Sequence, residues 1–97
     1  MINGIEAFIV GSVDNLGAGR WKIAGRACEV ICVGDILRYD LRSTAGNNKL
    51  QVLSVTSYNK ELSTIYKMMT GSILVSGAKE DNLESVKMLF LRGVDNV

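Results

Sequence analysis

The chain has 97 residues, 47% of them hydrophobic and 22% charged, a balance that supports one folded domain with one core and excludes disorder. Eleven basic and ten acidic residues leave a formal charge of +1, so no long-range field steers the protein toward nucleic acid or an anionic membrane. Histidine is absent, which removes the commonest general base and a leading zinc ligand.

The first apolar run, residues 5–13 (IEAFIVGSV), is rich in β-formers, and its interior Gly11 marks a bulge or a close backbone approach. A turn with two glycines follows over residues 14–20 (DNLGAGR), and then Trp21, Ile23 and Ala24 give a second strand that ends at Gly25. The stretch from Gly25 to Leu37 (GRACEVICVGDIL) organises the chain. Its two β-forming runs, 27–33 and 36–41, are separated by Gly34 and Asp35, a glycine that turns freely and a carboxylate able to accept bonds from its own backbone. In the second run Leu37, Tyr39 and Leu41 alternate with Ile36, Arg38 and Asp40, the pattern of a half-buried strand.

Cys28 and Cys32 lie four apart. In one extended strand they would share a face with Cα atoms roughly 13 Å apart, beyond disulfide reach. They read as free thiols of a reducing compartment.

After a polar loop at residues 42–48, the longest β-forming segment spans 49–58 (KLQVLSVTSY). Leu50 and Val52 share one parity while Leu53 and Val55 share the other, a change of phase that predicts a bulge or a bend. In residues 59–69 (NKELSTIYKMM) the spacing of Leu62, Ile65, Tyr66 and Met69 predicts a short helix closed by Gly71. A strand over 72–76, a charged loop over 77–82 and a last β-run over 84–91 complete the chain. Six or seven short strands with one short helical segment predict an all-β domain, a small closed antiparallel barrel of six to seven strands over residues 1–97, since closure removes the exposed edges of strands this apolar.

One set of these features resembles a known family. The run from Phe8 to Val13, the glycine turn at Gly17 and Gly19, Gly25-Arg26, the segment Val33-Gly34-Asp35-Ile36-Leu37, Leu50 to Val55, and Lys67 to Val75 are together similar to the second domain of translational GTPases such as elongation factor Tu. The resemblance covers most of the chain and implies a six- to seven-stranded barrel that serves as a docking module. In the full factors that module packs against the GTPase domain and helps to contact aminoacyl-tRNA ends or ribosomal RNA. Two departures stand out: no phosphate-binding loop is present, and Thr70-Gly71 occupies the place where the family has alanine-glycine.

No residue set has the spacing of a catalytic, metal or cofactor site, and the chain reads as a non-catalytic module that binds another protein. Arg20, Trp21 and Arg26 on the early turns, with Tyr58, Tyr66 and Lys67 near the helical segment, are the candidate anchors, because aromatic and arginine side chains bury area at limited entropic cost. Gly25, Gly34, Asp35 and Gly71 are assigned to structural turns. The alternatives are an RNA- or ribosome-associated barrel, in which Arg20, Lys22 and Arg26 flank Trp21, or an inhibitor- or immunity-like protein presenting Lys79, Glu80, Asp81 and Glu84. Self-association into a homo-oligomer is compatible with the sequence. The absence of a basic, apolar leader and of any bilayer-length run makes a cytoplasmic location the expectation.

Overall fold

The computed structural model describes residues 4–39, 49–78 and 82–92. Its strands, in chain order, are β1 (Gly4–Gly17), β2 (Arg20–Ala27), β3 (Ile31–Cys32), β4 (Ile36–Tyr39), β5 (Lys49–Ser57), β6 (Lys60–Leu62), β7 (Thr64–Ile65), β8 (Thr70–Gly77) and β9 (Met88–Arg92). The main sheet runs β4-β9-β1-β2-β8-β5-β6, and a further pairing of β4 with β5 closes six of these strands into a ring. Every pairing in the ring is antiparallel. β6 hangs from β5 outside the ring, while β3 and β7 form a two-stranded sheet of their own. The fold is thus the all-β closed antiparallel barrel that the alternation implies.

Side chains alternate into the barrel as period-2 strands require. Trp21 and Ile23 of β2, Leu37 and Tyr39 of β4, and Ile73 and Val75 of β8 are buried. Two bulges reset this alternation. In β5 the pairing with β8 slips between Val52 and Ser54, so Leu50, Val52, Val55 and Ser57 all face inward. In β1 the pairing with β9 slips between Glu6 and Phe8, which lets the neighbours Ala7 and Phe8 both be buried. A third slip, between Val10 and Ser12, lies at Gly11 as expected. Each large aliphatic side chain taken fully into this core contributes about 1.5 to 3 kcal/mol.

The Gly34-Asp35 turn positions the strand that closes the ring. Asp35 N–H donates to Cys32 O at 3.0 Å across the turn, and Gly34 adopts a φ of +98°. Positive φ at the third position is the type II signature, which favours glycine there. The Asp35 carboxylate reaches back and accepts the Cys32 N–H at 2.8 Å. Gly34 N–H also donates to Val52 O at 2.8 Å, and Val52 N–H donates to Asp35 O at 2.9 Å. The turn is therefore fastened to β5 before β4 begins.

Several expectations are corrected. Residues 59–69 are not helical but form β6, β7 and a turn. Tyr58 and Asn59 take φ of 53° and 63°, a two-residue hairpin reversal that pairs Ser57 with Lys60. Ile65 is buried and Leu62 and Met69 pack against the core, so the apolar spacing is real although it comes from two strands and a turn. Gly71 does not cap a helix. It sits in β8, where an added Cβ would collide with Thr56 O. The helical piece of the described residues is a 3-10 turn at Leu83–Ser85, which overlaps the start of the last strand expected over 84–91. Asn82 Oδ1 accepts the Glu84 N–H at 2.9 Å and caps it.

β2 continues past Gly25 to Ala27. Gly25 is a point of close approach, not a turn, because a Cβ there would strike Ile9 O and come within 3.0 Å of the Phe8 ring. The expected strand over 27–33 shrinks to Ile31–Cys32. Cys28 therefore lies outside that strand, and both cysteines are free and half-buried. Asp40, Leu41 and the charged residues 79–81 lie outside the described residues.

Gly25→Ala is expected to cost about 1 to 3 kcal/mol by overpacking, and Asp35→Ala about 1 to 2 kcal/mol by orphaning the Cys32 N–H. Chemical denaturation followed by circular dichroism measures both; an unchanged midpoint for Gly25→Ala contradicts the close approach.

Candidate functional site

Three segments meet at one end of the barrel. The β5–β6 reversal at Tyr58 and Asn59 is tied to the start of β8 by Ser57 Oγ, which donates to Thr70 O at 2.7 Å. The turn between β7 and β8 is tied to the end of β2: Ala27 N–H donates to Met69 O at 2.9 Å, and Met68 N–H donates to Ala27 O at 2.8 Å. Within that turn Met69 N–H donates to Tyr66 O at 3.1 Å, and Tyr66 N–H donates to Met69 Sδ at 3.3 Å. Lys67 Nζ stands 3.6 Å from Glu29 Oε2, an exposed ion pair worth at most about 1 kcal/mol.

Beside these backbone and side-chain ties, large side chains stand out in solvent. Tyr58 is 81% exposed, Met68 70% and Tyr66 59%. Val30 and Val33, on either side of β3, are also exposed. Tyr58 and Met68 have φ of 53° and 72°, the left-handed region that costs bulky L-residues about 1 to 2 kcal/mol each. Arg26 is exposed on β2 opposite Thr70, and Lys60 is exposed next to the reversal. Apart from Lys67, these cations make no ion pair among the described residues.

The structure thus gathers Arg26, Tyr58, Tyr66 and Lys67 at one end and separates Arg20 and Trp21 from them. Arg20 and Arg26 are six residues apart along β2, about 20 Å in an extended strand. Trp21 is not a surface anchor. It is 3% exposed, and its indole N–H donates to Gly77 O at 3.1 Å at the far end of the barrel. Burial of the ring with its polar tip satisfied is what a core tryptophan requires. Glu84 is exposed on the 3-10 turn.

Met68 and Val30 are surface residues that sequence reasoning missed. An apolar side chain in a short turn has the same local signature whether it faces the core or solvent. Among the described residues no three histidine, cysteine, aspartate or glutamate side chains gather as metal ligands. Cys32 Sγ accepts the Thr64 hydroxyl at 3.5 Å. No helix of the described residues is long and apolar enough to cross a membrane.

No family model matches the chain, and no curated protein matches its sequence.

Trp21→Ala is expected to lose about 3 to 5 kcal/mol as a large buried side chain is removed, whereas Tyr66→Ala should stay within about 0.5 kcal/mol of the parent. Urea titration of the two variants separates them; equal losses would place Tyr66 in the core.

Proposed function

We propose that the protein is a cytoplasmic, non-catalytic binding module that docks another protein through the end of the barrel carrying Tyr58, Tyr66 and Met68. The observation that carries this reading is the concentration of the large exposed side chains Tyr58, Tyr66 and Met68 at one barrel end, two of them, Tyr58 and Met68, on backbone in the left-handed region. Strain of this kind persists where the surrounding structure imposes it and clusters at functional sites. Aromatic residues, methionine and arginine are the types enriched at protein interfaces. Arg26 and Lys60 beside them favour a partner segment that presents apolar and acidic side chains together. The similarity of the segments Val33 to Leu37, Leu50 to Val55 and Lys67 to Val75 to those of the second domain of elongation factor Tu favours a docking role of the same general kind, with the docking surface supplied by this chain's own residues.

RNA or ribosome association is the second reading, since exposed tyrosines next to Arg26, Lys60 and Lys67 have the composition of a base-stacking surface. The net charge of +1 weighs against it, because phosphate binding draws on a basic field.

The test is affinity capture from host extract with the parent chain, with a Tyr58→Ser, Tyr66→Ser, Met68→Ser triple variant, and with Arg20→Ala as a control at the other end. A protein partner retained by the parent and the control, and lost by the folded triple variant, is the expected outcome. Retention by the triple variant overturns the reading, and capture of salt-sensitive RNA in place of protein selects the second one.

A further inference from the structure

The turn between β7 and β8 carries two adjacent methionines in opposite surroundings. Met69 packs against the core, and its Sδ accepts the Tyr66 N–H at 3.3 Å. Met68 is 70% exposed and has a φ of 72°. Its own N–H donates to Ala27 O at 2.8 Å, and the Met69 carbonyl accepts the Ala27 N–H at 2.9 Å. The turn is therefore seated on the end of β2, with the sulfur of Met69 covered and engaged and the side chain of Met68 open to water. Met88 of β9 is half-buried.

We infer that Met68 is a site of reversible oxidation by hydroperoxides, and that its sulfoxide releases the partner from the surface formed with Tyr58 and Tyr66, a control that rests on the docking reading above. Met68 Sδ attacks the outer oxygen of the peroxide. An S–O bond forms as the O–O bond breaks, sulfur gives up two electrons to the peroxide, and the hydroxyl proton passes to the departing oxygen, which leaves as water or an alcohol. Methionine sulfoxide reductases reverse the change. The sulfoxide is polar where the thioether was apolar, and a contact built on methionine is disrupted by it. Its oxygen must give up water to be buried against an apolar partner. Met69 differs, because core packing covers it and the Tyr66 N–H occupies a lone pair of its sulfur. One turn thus holds an oxidisable residue beside a protected one.

The test titrates the full chain with hydrogen peroxide while tandem mass spectrometry follows Met68, Met69 and Met88 separately. Met68 should oxidise about tenfold or more faster than the other two; equal rates, or Met69 first, overturn the inference. In affinity capture from host extract the oxidised chain should retain about tenfold less partner than the untreated chain, and reductase treatment should restore it. Met68→Leu, whatever its starting level, should not change under the same peroxide. A Met68-oxidised chain that keeps its partner overturns the inference. So does a Met68→Leu chain that loses its partner to peroxide, which places the sensitive group elsewhere, the half-buried thiols of Cys28 and Cys32 included. An untreated chain that captures no protein removes the docking reading and the release with it, while the oxidation rates still decide whether Met68 is the reactive sulfur.

Discussion

Closure of the ring through β4 is the constraint on which the rest of the molecule depends. β4 has four residues, yet it alone joins β5 on one side to β9 on the other. Without it the sheet is open, and the inward rows of β5 and β9 lose their cover. The Asp35 turn makes so short a strand sufficient. Its carboxylate, its amide and the Gly34 amide fix the chain against Cys32 and Val52, so β4 enters with its register already set. Leu37 and Tyr39 then point inward and are fully buried.

A six-stranded ring of unequal strands cannot keep a single alternation throughout, and the bulges in β1 and β5 absorb the mismatch. Each allows an extra inward residue on a strand that bends around the barrel. Gly25 belongs to the same solution: next to the Gly11 bulge, β1 and β2 approach so closely that only a residue without Cβ fits. The core and the irregularities of the sheet are one feature seen from two sides.

Much of this was legible in the residues themselves. Alternation in 36–39, the phase change in 49–57 and the interior Gly11 each announced a structural fact, because side-chain direction in a strand follows from sequence parity alone. The helix expected over 59–69 shows where that logic ends. β6 and β7 are three and two residues long, and their backbone bonds go to β5 and β3. No local pattern announces a partner some thirty residues earlier, such as Cys32 for Thr64. The apolar spacing that looks helical is what two short strands and a turn leave behind. Of the candidate anchors, Arg26, Tyr58, Tyr66 and Lys67 come together only because Ala27, Thr70 and Met69 are bonded across the barrel end.

The sequence by itself determined the β character of the chain, its single core, the Gly34-Asp35 turn, the bulge at Gly11 and the change of phase in β5. These are local properties, set by branching at Cβ, by glycine and by parity. Only the tertiary structure decided which strands meet, and with that which surface is presented. Trp21 went inside because its indole N–H finds Gly77 O, 56 residues away. Tyr58 and Met68 stayed outside because the turns that carry them are fastened from below, one by the Ser57 hydroxyl to Thr70 O and the other by backbone bonds to Ala27. Burial depends on partners distant in the chain, and the closure of the ring chose those partners.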